Sequence, residues 1–202
     1  GVNIDAGAGD DTITGGRGGD TIAGGTGNDS IDGGYGDDEI DGNAGDDTLF
    51  GGQGNDTIDG GEGADSIDSG LEADTVFGGA GNDTINAGDG NDDVFGGDGA
   101  DPIAGEGGQD YLDGEGGNDS MSGEDGADTV LGGDGRDTLF GDAGDDTLSG
   151  HAGDDALHGG TGQDSLYGGS GEDYFDGGAD NDSLYMGDTS GSGTSDPSDG
   201  LR

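Results

Sequence analysis

Large apolar side chains recur along this chain at every ninth residue. Ile13, Ile22, Ile31, Ile40 and Leu49 open the series, which continues through Met121 and Phe175 to Leu184 without an insertion or deletion. With Ala6 as position one, residues 6–185 divide into twenty nonapeptides with the apolar residue at position eight. Position seven is mostly Thr or Ser, and positions one to six are rich in glycine. The segment Gly51-Gly52-Gln53-Gly54-Asn55-Asp56-Thr57-Ile58-Asp59 shows the unit in full. Successive side chains of a strand point to opposite faces. Positions seven to nine therefore predict a three-residue strand with position eight turned inward. Glycine reaches positive φ at no steric cost, so the other six residues predict a tight turn with exposed carbonyls. Such a strand cannot stand alone. Stacked copies can bury a continuous ladder of position-eight side chains, which makes the expected fold all-β and solenoidal.

Composition changes the picture, because that ladder is all the core there is. Of 202 residues, 57 are glycine, 49 are acidic and only 25% are apolar; three arginines and no lysine leave a net charge of −46. A chain with so little apolar surface and so much self-repulsion is disordered unless something cationic and abundant completes it. An ordinary globular domain is excluded on the same grounds. Nucleic acid is excluded as a partner, since it requires a basic surface. Membrane insertion is excluded, since no apolar run approaches span length. The absence of cysteine removes disulfides and thiolate metal sites, and is compatible with an extracellular setting. The start of the chain, Gly1-Val2-Asn3-Ile4-Asp5, does not read as a signal peptide.

The second invariant position supplies the chemistry. Position six is aspartate in every repeat: Asp11, Asp20, Asp29, Asp38, Asp47, Asp56, Asp65, Asp74, Asp83, Asp92, Asp101, Asp110, Asp119, Asp128, Asp137, Asp146, Asp155, Asp164, Asp173 and Asp182. These twenty are the candidate metal ligands. A glycine turn offers carbonyl oxygens and each aspartate adds charge, a donor set suited to calcium, which takes about six to eight oxygens in flexible geometry. Magnesium demands near-ideal octahedra and keeps its waters. Zinc lacks its usual nitrogen and sulfur ligands here. The flanking helices and closing glutamate of an EF-hand are missing from the sequence pattern.

The nonapeptide G-G-x-G-x-D-x-U-x resembles the calcium-binding repeat of the RTX (repeats-in-toxin) family over about nine-tenths of the chain. The resemblance implies a right-handed parallel β-roll with two nonapeptides per coil. Twenty repeats then make about ten coils and a rod roughly 50 Å long. It also implies rows of calcium ions along both edges, between the loops of successive coils. Turns one coil apart, such as those ending in Asp38 and Asp56, would bring two carboxylates to one ion. Pairing each repeat with the next but one implies about 18 ions; their charge would lower −46 to roughly −10, ordinary for a soluble domain. The family further implies a secreted bacterial protein exported by a type I system, folding on calcium outside the cell. The alternative is a structural, self-assembling segment of a surface layer, adhesin or fibre. No catalytic grouping stands out, and an enzymatic role is not expected.

Departures from the unit carry further expectations. Ser69 and Glu72 replace glycines at positions one and four of the eighth repeat, which predicts a strained turn and a weaker site there. Asp180 replaces the same position-four glycine in the last repeat. Glu106, Glu115, Glu124, Asp142 and His151 stand at position two, which reads as the less demanding position. Pro102 occupies a strand slot and deletes one ladder donor. Position five is Asn or Asp in eleven repeats, read as turn formers bonding their own backbone rather than as extra ligands. At position nine, Phe77, Phe95, Leu131, Tyr167 and Tyr185 are separated by multiples of eighteen and predict a stripe on one sheet face, a candidate contact surface for self-association. His151 and His158 read as surface residues. Residues 1–186 form the expected β-roll, and residues 187–202 the Gly/Ser/Asp-rich tail or linker. The uncapped ends predict a piece of a longer protein or end-to-end association.

Overall fold

The computed structural model describes residues 1–187. Among them there are twenty-three β-strands and no helix. Every strand pairs in parallel with strands eighteen residues away: Ile31 lies between Ile13 and Leu49, and Ile40 between Ile22 and Ile58. Two nonapeptides therefore make one coil, and the chain is a parallel β-solenoid of about ten turns. One sheet has eleven strands, from Asn3–Ala8 to Ser183–Tyr185. The other runs from Thr12–Arg17 to Tyr174–Ala179 and has twelve, because two of its coils are split into two short pieces. The tail, from Asp188 onward, lies outside the described residues.

The core is the position-eight ladder. From Ile22 to Leu166 each of these side chains is at most 3% exposed. Burial of one such side chain contributes about 1.5–3 kcal/mol. At the last described coil the ladder opens, and Leu184 is 37% exposed.

The strands are longer than the three residues expected. Thr48–Gln53 is typical: it runs from position seven through position three of the next repeat. The sheet register nonetheless omits position one, as where Phe50 pairs with Asp32 and Gly52 with Gly34, but Gly51 pairs with nothing. Glycine-rich positions one to three thus belong to the strand, with a bend inside it. Only positions four to six form the turn.

That bend corrects the expectation for position two. All twenty residues there have positive φ, so the position is as demanding of handedness as position four. The two differ in degree. Asn43, Glu106, Glu115, Glu124, Asp142 and His151 sit between 63° and 72°, the left-handed region that L-residues can enter. Position four extends far beyond it, to 137° at Gly45 and 158° at Gly135, where only glycine is comfortable. Glu72 adopts φ 75° instead, and its carboxylate accepts the Gly54 N–H at 2.9 Å. The strand before it, Ser66–Leu71, is unbroken. Glu72 therefore holds its turn at a positive φ that L-residues seldom adopt, the strain expected there.

At Pro102 the expected loss is visible. Each neighbouring position seven donates its N–H to the aspartate carbonyl of the preceding coil, as Thr84 does to Asp65 and Ser120 to Asp101; Pro102 makes no such bond to Asp83.

The position-nine stripe is not continuous. Phe77 stacks on Phe95 at 5.2 Å and Tyr167 on Tyr185 at 4.5 Å, while Asp113, Leu131 and Ser149 separate the two pairs along the sheet. Rings that cover one another's faces turn their edges to solvent. On the opposite sheet, His158 stacks on Phe140 at 4.8 Å and lies 3.9 Å from Asp176, so it is packed rather than simply displayed. His151 is exposed at its bend.

Candidate metal centre

The twenty aspartates stack into two rows, one along each edge of the solenoid. Asp20, Asp38, Asp56 and their successors form one, and Asp11, Asp29, Asp47 and theirs the other. The two carboxylate oxygens of each have different fates. Oδ1 accepts the backbone N–H of the aspartate one coil back: Asp38 donates to Asp56 at 2.8 Å, and Asp47 to Asp65 at 2.7 Å. Nineteen such bonds run along the rows if the Val2 donor to Asp20 is included. Oδ2 is buried without any hydrogen-bond partner in all eighteen aspartates from Asp11 to Asp164.

A bare buried carboxylate oxygen is costly, and repeating it down two rows is untenable for a free anion. The acidities reflect this. Burial pushes Asp74, Asp110, Asp119 and Asp155 up to about 7, and Asp56, Asp65 and Asp146 up to about 6. The N–H bond to Oδ1 opposes that rise, and like charges one coil away add to it.

Position one completes the cradle. A methyl group on Gly33 would stand 2.5 Å from Asp38 Oδ2 and 2.8 Å from the Gly51 carbonyl oxygen. Each of the seventeen position-one glycines meets the aspartate of its own repeat in this way. Glycine is needed there for room, not for φ. The bare carboxylate oxygen and the position-one carbonyl of the next coil face one small volume. Among the described residues, no three His, Cys, Asp or Glu side chains gather into a cage. The carboxylate and carbonyl oxygens that face each cradle suit a hard cation, which accepts both.

Residues 3–31, 14–49, 32–67, 41–76, 68–103, 95–130, 122–157, 131–166 and 149–184 each match a family model of four copies of the RTX calcium-binding nonapeptide repeat. The chain belongs to the RTX calcium-binding repeat family. A search of curated proteins finds no match to it. RTX nonapeptides bind calcium, so this solenoid is a calcium-binding module. The orphaned Oδ2 atoms and the glycine cradle fit that ion.

Two features of the site were missed in the sequence. The first is the division of labour between Oδ1 and Oδ2, which depends on which N–H the next coil presents. The second is position five. Its Asn and Asp side chains neither bond their own backbone nor stand at positive φ. Instead Oδ1 accepts the position-five N–H one coil on, as Asp10 does from Asn28 at 3.0 Å and Asn91 from Gln109 at 2.8 Å. All ten whose donor, one coil on, is a described residue do so. A separate acidic column, Glu106, Glu124 and Asp142, arises at position two, where burial and its neighbours raise the Glu124 carboxyl.

Proposed function

We propose that this chain is a calcium-driven folding module of a secreted bacterial protein, kept as an acidic coil in low-calcium cytosol and locked by calcium outside the cell. The observation that carries the reading is the pair of rows of buried, partnerless Oδ2 atoms. A metal-free solenoid holding eighteen such oxygens at neutral pH opposes its own folding. Calcium supplies positive charge where the carboxylates converge, so binding and folding become one event. All twenty position-six aspartates belong to the proposed ligand set, with about 18 ions between successive coils. Extracellular calcium modules commonly bind at ~10⁻⁴ to 10⁻³ M, which matches passage from cytosol to outside. Type I export of an unfolded chain fits the same switch, and the module itself has no enzymatic part. The roll is assigned to residues 1–186 and a linker to 187–202.

A structural, self-assembling role in a surface layer or fibre is the second reading. Phe77, Tyr167 and Tyr185 favour it, being 39–48% exposed on one face despite their stacking.

The test is circular dichroism during calcium titration, with sedimentation before and after and magnesium as control. A coil-to-β change with calcium alone and constant mass supports the folding module. The same change with assembly supports the structural role. No change at about ten millimolar calcium, well above the usual range, rules out the switch for this chain.

A further inference from the structure

One edge of the solenoid is not uniform. Position one is glycine in seventeen of the twenty repeats, and two of the three exceptions, Ser69 and Ala87, lie in consecutive coils of the same edge. Both are fully buried. Their side chains stand in the volume that elsewhere is left to the carboxylate oxygen of the same repeat, here Asp74 and Asp92. The Ser69 hydroxyl donates to the Ala87 carbonyl oxygen at 2.6 Å. That carbonyl is the counterpart of Gly51 O beside Asp38, one of the two oxygens facing the cradle.

The sheet carries a break at the same place. The strand that passes Ala87 stops at Asn86 and resumes only as a bridge at Asp89. In the next two coils the strand is split, into Pro102–Ala104 with Gly107–Gly108 and Ser120–Ser122 with Asp125–Gly126. Elsewhere in this sheet the strand runs six residues without interruption, as in Thr48–Gln53 and Ser66–Leu71.

We propose that Ser69 and Ala87 each remove one calcium ion from this edge, dividing its row into a block through Asp56 and a block resuming beyond Asp92. The Ser69 hydroxyl occupies one of the two lone pairs of the Ala87 carbonyl and lies in hydrogen-bonding reach of the Asp74 carboxylate, so it stands between the two oxygens that elsewhere face the cradle. The Ala87 methyl crowds the same volume one coil on. Calcium uptake along the edge then proceeds as two shorter rows with a seam between them. This inference rests on the calcium-module reading above.

The experiment counts bound ions by native mass spectrometry of the whole chain at saturating calcium, with Ser69→Gly and Ser69→Ala beside the unsubstituted protein. Circular dichroism confirms that each is folded. Ser69→Gly restores the cradle and is expected to hold one ion more per chain, with a lower calcium midpoint. Ser69→Ala removes the hydroxyl but leaves a methyl in the cradle, as at Ala87, and is expected to keep the parent count. An unchanged count in Ser69→Gly overturns the inference while leaving the module intact. So does a lower count, which would make the hydroxyl a ligand. Failure of the unsubstituted chain to take up calcium overturns both readings.

Discussion

At the scale of the residue, the aspartate carboxylate is split between two tasks, and each can be tested separately. Asp56→Asn keeps an Oδ1 acceptor for the Asp38 N–H but replaces the bare Oδ2 with an amide. It is expected to fold in calcium, to bind at least one ion fewer, and to need more calcium to do so. An unaltered ion count would remove Asp56 from the ligand set. The pH response follows from the raised acidities. An unfolded aspartate titrates near 3.9, whereas Asp74, Asp110, Asp119 and Asp155 in the metal-free fold reach about 7. Such groups favour the metal-free fold fully below about pH 4, and that contribution is lost as pH rises through about 7. Without calcium, the chain is therefore expected to gain β-structure on acidification from pH 7.5 toward 4. With calcium the sign reverses: protons compete for the same oxygens, and the calcium midpoint rises as pH falls from 7 to 5. A calcium midpoint constant across that range would mean the buried carboxylates are not where the ion binds. The identity of these aspartates was legible in the sequence because a nine-residue period repeated twenty times exposes them. Which oxygen is bare was not, because that depends on an N–H eighteen residues away.

At the scale of the element, one nonapeptide holds three glycine positions that look alike in sequence and are required for different reasons. Position one needs room for Oδ2, position two a positive φ that reaches 115° among its glycines, and position four a positive φ that reaches 158°. Gly52→Asn must move from φ 111° toward the 72° of Asn43, away from the Gly34 carbonyl, and is expected to cost about 1–2 kcal/mol. Gly54→Asn must fit φ 128° against the Gly36 carbonyl and is expected to cost more, about 3 kcal/mol, the upper end for backbone strain. Urea unfolding in saturating calcium separates the two, and equal losses would contradict the distinction. Ile58→Ala leaves a cavity in the only core available and is expected to cost about 2–5 kcal/mol in the same assay. The inward direction of position eight was readable from alternation alone. The length of the strand was not: a run such as Gly51-Gly52-Gln53 gives no β-signal of its own, and Gly52 and Gln53 pair only because the coils on either side hold them.

At the scale of the whole molecule, the fold is one-dimensional. Each coil touches its neighbours above and below, so stability accumulates coil by coil. The stacked pairs Phe77–Phe95 and Tyr167–Tyr185 add to that sum, at about 0.5–1.5 kcal/mol per pair beyond their buried area. Replacing Tyr167 and Tyr185 by alanine is expected to lower thermal stability in calcium. If sedimentation shows the parent chain to be assembled and the variant monomeric, the stripe also joins molecules; an unchanged mass leaves it an internal clasp. The opposed hydrogen bonds along the rows have one more consequence. Position-six carboxylates receive donors from the coil before, whereas position-five side chains receive them from the coil after. A cut between any two coils therefore leaves unlike faces. One shows position-six N–H groups, with position-five oxygens wherever that coil carries Asn or Asp, and the other shows the reverse. Like the poles of a magnet, such faces mate only with their opposites. Any two rolls of this kind that meet along their axis are restricted to polar, head-to-tail order.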